Sequence, residues 1–516
     1  MLAPEAPFAE VLDVPAPVED EILTSPISEA GSSPSDRKSS SETLAGDPER
    51  AQPEPIYVDW EPNDPENPFN WSRKKKWVVT FTACLITCLS ASTGSIIAVG
   101  YPGMTASLHS SGETNALTLS MYALGFALAP LVLASFSEEF GRRPMYIVSS
   151  AVFTALYAGI AGATNIQTVI ICRFLQGAAG STGATMVGGT IADIWHTHER
   201  GLPMSSFSFC ALFATGLGPV IAGWIEMSLG WRWIEWLAMI VNGILTLWLI
   251  VYGAQETRGS IILQKRVKRL RKETGDMRYR TKFDPPDMKA LIWISVTRPL
   301  HLLFTELIVI SFSTWLAFVW GCVYGLIQSI GLVFETLYGF NSGQIGLVFI
   351  TIMAGTMLGA LVNIYQERLF ARYHAKKGPE ARLYMAMVAG VTFVLGAFIY
   401  AWTSYPHVHW IAPCIGITII MFSAFTIYLA VFNYLADSYL LYASSALAGQ
   451  SLFRNVAASS FPLFTNQMYK RLGYQWASTL LALVGATLAP IPIVLYFLGP
   501  KIRARSHFAQ SLSDKS

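Results

Sequence analysis

Ser137-Glu138-Glu139-Phe140-Gly141-Arg142-Arg143-Pro144 is a knot of charge around one glycine, set between two apolar stretches at about 115–136 and 145–163. A bilayer core takes about 20 apolar residues per helix. Eight residues between two such stretches leave room only for a tight turn. Gly141 permits the bend. Glu138 stands at a helix end, where it can pair with Arg142 or with a neighbouring helix N-terminus. On either side of this turn the pattern repeats. Twelve spans are predicted, at about 77–99, 115–136, 145–163, 168–191, 203–227, 234–252, 301–327, 343–363, 383–402, 410–432, 444–467 and 476–498. The expected fold class is an all-α polytopic membrane protein.

Composition agrees with that expectation. The chain has 516 residues, of which 52% are hydrophobic and 14% charged. Soluble proteins carry about 25% charged residues. Several soluble domains, a disordered chain and a disulfide scaffold are all excluded on these grounds. The six cysteines (Cys84, Cys88, Cys172, Cys210, Cys322 and Cys414) fall in apolar stretches, with no C-x-x-C pair. Apolar packing is their expected role, and no metal site is expected.

Charge is sorted along the chain. Residues 1–72 hold 16 acids and three bases, and are rich in Pro and Ser. Such a segment is predicted to be a disordered acidic cytoplasmic tail without a signal peptide. A six-helix bundle at 73–252, a basic linker at 253–300, a second six-helix bundle at 301–498 and a short tail at 499–516 follow. With both termini in the cytoplasm, 31 of the 36 Lys and Arg residues lie on that side. The linker run Lys265, Arg266, Lys268, Arg269, Arg271 and Lys272 either lies on the anionic inner leaflet or forms a solvated helix.

Three motifs carry chemistry. The turn at 137–144 resembles the loop signature of the major facilitator superfamily, roughly Gly-x-x-x-Asp-x-x-Gly-Arg-Arg/Lys. Glu138 takes the acidic position and Ala134 replaces the first glycine. The resemblance makes Glu138, Gly141, Arg142 and Arg143 a cytoplasmic gate. Arg173-Phe174-Leu175-Gln176-Gly177 resembles the family's Arg-x-x-x-Gly signature, which links the arginine to proton transfer. An arginine inside a span is by itself a functional-site hypothesis, with snorkelling to the outer interface as the alternative. Gly216-Leu217-Gly218-Pro219-Val220-Ile221-Ala222-Gly223 resembles the signature of the proton-antiporter branch, with Gly218, Pro219 and Gly223 as its core.

Further strings agree with these. They are Gly230-Trp231-Arg232-Trp233, Glu256-Thr257-Arg258, Tyr338-Gly339-Phe340-Asn341-Ser342-Gly343-Gln344, and Asn433-Tyr434-Leu435-Ala436-Asp437. Together with Asp59-Trp60 and Asn67-Pro68-Phe69-Asn70-Trp71-Ser72, they are similar to the fungal twelve-span drug:proton antiporter group. This group includes polyamine, azole-resistance and toxin exporters. The resemblance implies the major facilitator fold, two pseudo-symmetric six-helix bundles, and proton-coupled export of small amphipathic organic molecules by alternating access. It implies a plasma-membrane or vacuolar location, a proton gradient as energy source, no cofactor, and no nucleic-acid partner. Polyamine export, proton-coupled uptake and a non-transporting sensor are the alternatives. No H-E-x-x-H pair, G-x-S-x-G elbow or P-loop marks an enzyme.

Proton coupling is expected at Arg173 with Glu226 or Glu113, both toward the outer side. Asp437, with Arg454, serves the second half or caps a helix end. Tyr122, Phe126, Gln176, Phe312, Trp315, Tyr324 and Phe425 are the candidate lining of a midplane cavity, by span position.

Overall fold

Lipid offers no partner to backbone N–H and C=O groups, so an apolar chain of this length must satisfy them within helices. The structure, a computed structural model, describes residues 55–196, 199–253, 255–281, 288–439, 442–506 and 508. The predicted tail up to residue 54, part of the linker and residues 509–516 lie outside these. All twelve predicted stretches are helical. In the first half they are α1 (Arg73–Val99), α2 (Gly112–Leu128, then Pro130–Glu139), α3 (Arg142–Ala161), α4 (Ile166–Gly180, then Thr182–Ile194), α5 (Gly201–Leu229) and α6 (Trp231–Trp248). In the second half they are α7 (Leu307–Tyr338), α8 (Ser342–Val348, then Ile350–Lys377), α9 (Tyr384–Thr403), α10 (Ile411–Tyr439), α11 (Ala443–Leu472) and α12 (Tyr474–Leu488, then Ile491–Arg503). The seventh begins later than expected, at Leu307, behind a separate helix Met288–Thr305.

Among the described residues, eight helices are long and apolar enough to cross a membrane, or nine with the bent α2 counted as one span. One of these long apolar runs covers α8 and α9 together. Neither α4 nor α11 passes that test. Both carry small and polar residues and a buried arginine, Arg173 in α4 and Arg454 in α11, which suits helices facing protein rather than lipid. Burial separates the layers. The apolar windows of α1, α7 and α10 are 61%, 67% and 72% buried, against 22% for the stretch containing α12. The helix α6 turns Ile240, Val241, Ile244 and Leu247 outward, as a lipid-facing stripe.

The halves meet where α2 packs on α11 and α5 on α8. A Cβ at Gly223 would meet Ser342 O, and one at Gly346 would meet Pro219 O, so α5 and α8 touch backbone to backbone. The internal repeat is written in the turns. Gly141 (φ 94°) precedes α3 and Gly378 (φ 65°) stands at the matching place before α9. Gly230 (φ 86°) precedes α6 and Gly473 (φ 81°) precedes α12. Only glycine takes these conformations at little cost. The string Tyr338 to Gln344 is likewise a turn. Asn341 and Gln344 cap α8 reciprocally, at 2.9 and 3.1 Å.

The expected disorder of residues 1–72 needs correction at its end. Ile56–Tyr57 (β1) pairs in parallel with Tyr279–Arg280 (β2). Asp64 accepts from Arg266 at 2.5 Å and Glu66 from Arg269 at 3.0 Å. Arg271 donates to Tyr279 O at 2.8 Å. The linker helix Gly259–Thr274 therefore commits three of its bases to protein, rather than to lipid or water. Average composition misses this because the basic partner lies some 200 residues away in sequence.

Burial alone would raise the Asp64 carboxyl. Hydrogen bonds from Glu66 N–H and Arg266, with the Arg266 charge, outweigh it and hold the group below the usual aspartate range. The strap is therefore stabilised above the ordinary aspartate pKa and keeps that gain until pH falls through the lowered value. Asp64→Ala is expected to cost roughly 2 kcal/mol of local stability. Limited proteolysis between residues 55 and 72 would then speed up about 30-fold.

Candidate functional site

A fully buried guanidinium must be answered by acceptors, because desolvating a charge costs several kcal/mol. Arg173, in the first segment of α4, is completely buried. Its Nη1 donates to Thr93 O and to Gln176 Oε1, both at 3.0 Å. Nε reaches Thr118 O and Nη2 reaches Gly94 O, each at 3.5 Å. The guanidinium lies 4.5 Å from the Tyr122 ring centre. The side chain thus points inward and does not snorkel. Two glycines make the geometry possible. A Cβ on Gly125 would collide with Phe174 O, and one on Gly177 with Tyr122 O. At both points α2 and α4 touch backbone to backbone, which sets Arg173 over Tyr122. The Tyr122 hydroxyl in turn donates to Ser90 O at 2.6 Å.

The expected acid partners are corrected. Glu113 is exposed at the start of α2, where its carboxylate accepts from Gln467 of the other half at 2.8 Å. Glu226 is half-buried near Gly103, close to the end of α5. Neither is hydrogen-bonded to Arg173. The buried acid is Glu235 on α6, 1% exposed, with one carboxylate oxygen lacking a partner. It lies within electrostatic reach of Arg173 and Tyr157. Its signal in the sequence is a lone acid one turn into the apolar run after Trp231-Arg232-Trp233.

On α11 a second buried arginine, Arg454, lies 4.5 Å from the Trp320 ring centre and 5.1 Å from that of Tyr428. Tyr324, one turn beyond Trp320 on α7, is within electrostatic reach of both arginines. Its hydroxyl stands 3.7 Å from where a Cβ on Gly94 would be. Of the predicted lining, Tyr122, Gln176 and Tyr324 gather here, with Phe126 beside Tyr122 at 6.2 Å between ring centres. Phe312, Trp315 and Phe425 do not. Phe312 lies 5.1 Å from Tyr434 between ring centres, Trp315 abuts Gly390 of α9, and Phe425 abuts Gly359 of α8. They fill the core of the second bundle. Where α1 ends and α2 begins, the halves border a cavity of about 320 Å³, lined by Tyr101, Asn115, Gln328, Glu335 and Asn466 among others.

The turn at 137–144 is a charge network. Arg142 bridges to Asp193 at 3.2 Å and donates to Ser137 at 2.8 Å. Glu256 accepts from the backbone N–H of Arg142 at 2.9 Å, Arg258 at 3.0 Å and Arg143 at 3.4 Å. A carboxylate there complements the N-terminal dipole of α3. Glu138 reaches Arg258 at 3.8 Å, an exposed and weak contact. The glutamate of Glu256-Thr257-Arg258 is thus a helix cap, which the sequence string did not reveal. The second half mirrors this end with other charges. Arg382 bridges Asp437 and Glu367, both at 2.9 Å, and Arg503 bridges Glu380 at 2.6 Å. Asp437 accordingly pairs with Arg382 at this end of the second bundle and not with Arg454.

A family model described as Major Facilitator Superfamily matches residues 83–462. The MFS-type efflux pump MFS2 of Trichophyton rubrum is 36% identical, over 88% of this chain and 78% of its own. The multidrug transporter mdrA of Aspergillus fumigatus is 35% identical, over 88% and 76%. The xylose transporter XylE of E. coli, in a partially occluded inward-open conformation, superposes with a TM-score of 0.59. That likeness covers 82% of this chain and 99% of the other at 14% identity, and concerns the fold alone.

Gly177→Val should force α4 off α2 and lower stability by about 3 kcal/mol or more, read as a fall in the unfolding midpoint in detergent. Asp437→Asn should lower that midpoint too, while leaving any pH dependence of transport in place.

Proposed function

We propose, from the premise that the chain belongs to the Major Facilitator Superfamily, that it is a proton-coupled antiporter exporting small amphipathic organic molecules by alternating access. One observation carries the coupling. A buried carboxylate with a free oxygen, Glu235, sits within electrostatic reach of a buried arginine, Arg173, that has only neutral acceptors. Protonation of Glu235 would change the field at Arg173. Arg173 holds α1 and α2 through Thr93 O, Gly94 O and Thr118 O. A proton gained or lost on α6 is thereby felt by the helices that line the interior.

Direction is supported by two things. The relatives named as an efflux pump and a multidrug transporter favour export. So does the resemblance of Gly218, Pro219 and Gly223 to the antiporter signature, at the point where α5 touches α8 backbone to backbone. The charge network at Arg142, Asp193 and Glu256 supplies the inner gate, with Arg382, Asp437 and Glu380 as its counterpart. The excess of Lys and Arg on one side supports cytoplasmic termini, and export from the cell requires the plasma membrane.

The test uses the full chain in everted membrane vesicles with an imposed pH gradient and Nile red as a neutral amphipathic probe. Wild-type accumulation should collapse when a protonophore dissipates the gradient. Glu235→Gln should lower gradient-driven uptake at least ten-fold while dye exchange without a gradient stays within about two-fold. Arg173→Ala should lose gradient-driven uptake as well. Full gradient-driven activity in both variants would remove the pair from the coupling step.

A further inference from the structure

Arg454 is buried to 7% exposure, yet its charge is unanswered. Among the described residues no carboxylate lies within 4 Å of it, its Nη2 makes one long contact to Ser451 Oγ at 3.4 Å, and its Nε has no acceptor. The other buried arginines differ. Arg173 has four acceptors, and Arg142 has Asp193 and Ser137. One turn earlier on α11, Gln450 is 2% exposed and its side-chain NH2 also lacks an acceptor. Residues four apart share a helix face, so two orphaned donors stand side by side. Trp320 and Tyr428, 5.5 Å apart between ring centres, lie against the guanidinium. Tyr324 extends this wall toward Gly94 of the first bundle.

An unpaired buried charge and an unpaired buried amide are each costly. The missing complement is a pair of acceptor oxygens beside a flat apolar surface. We propose that Arg454 and Gln450 bind the carboxylate or ionised enol oxygens of the cargo, and that Trp320 and Tyr428 hold its planar part. The cargo class is then planar organic acids, and polyamines are disfavoured by the unpaired positive charge. This deepens the export reading and rests on it, since it assumes that the chain carries small organic molecules.

The experiment measures binding, so it does not depend on proton coupling or on direction. Full-length protein in nanodiscs is titrated with 2-naphthoate, with its neutral isostere 2-naphthalenemethanol, and with spermidine, following tryptophan fluorescence and thermal stabilisation. Wild type should bind naphthoate at least ten-fold more tightly than the alcohol and should not respond to spermidine. Arg454→Gln should erase that preference and leave the alcohol within about two-fold, while Arg454→Lys restores part of it. Gln450→Leu should weaken naphthoate about three-fold or more, which keeps the test open if the arginine variants fail to fold. Equal affinity for acid and alcohol in wild type, or equal loss of both in Arg454→Gln, overturns the proposal. So does stabilisation by chloride alone that naphthoate cannot displace. If these binding results hold and vesicle transport fails, the export reading falls and the acid site stands.

Discussion

A guanidinium inside a membrane bundle has to be answered locally, since neither water nor lipid can answer it. That constraint organises this molecule. Arg173 draws the carbonyls of α1 and α2 and the amide of Gln176 around itself. To bring those groups close enough, α2 and α4 must touch at backbone distance, and Gly125 and Gly177 are the residues that allow it. The aromatic face of Tyr122 and its hydrogen bond to Ser90 follow from the same closeness. Helix packing here is therefore not generic apolar adhesion, which is weak between helices in lipid. It is small-residue contact arranged around one charge.

The two halves treat the constraint differently. In the first bundle the buried arginine is saturated and a buried acid waits nearby. In the second, Arg454 is stacked on aromatic rings and left without an acid. A pseudo-symmetric scaffold thus holds one closed polar centre and one open one. The ends of the bundles at Gly141 and Gly378 show the same economy of pattern with exchanged charges. Glu256 caps α3 in the first half, while Arg503 meets Glu380 ahead of α9 in the second.

Much of the fold was legible. Twelve apolar stretches became twelve helices, because hydropathy and span length are local properties of the chain. Gly141 was legible as a turn, since only glycine takes its φ of 94° cheaply. Charge partners were not legible. Glu113, Glu226, Glu235 and Asp437 all read as acids near spans. Which of them faces Arg173 depends on helix rotation and on how α6 packs against α3, and neither is encoded in a hydropathy pattern. Span position also failed for Phe312, Trp315 and Phe425. A helix has a lipid face, a core face and a cavity face, and residues at equal depth divide among the three. The strap at 55–72 was hidden for another reason. Its acids are local, but the bases that order it come from the linker.

The sequence by itself determined the class, the span count, the sorting of charge to one side and the presence of an arginine in α4 and another in α11. These follow from composition and from spacing along one chain. Only the tertiary structure decided which acid answers which base, and that Arg454 is answered by none. Electrostatic compensation acts across helices over a few ångströms, and such distances exist only once the helices have packed.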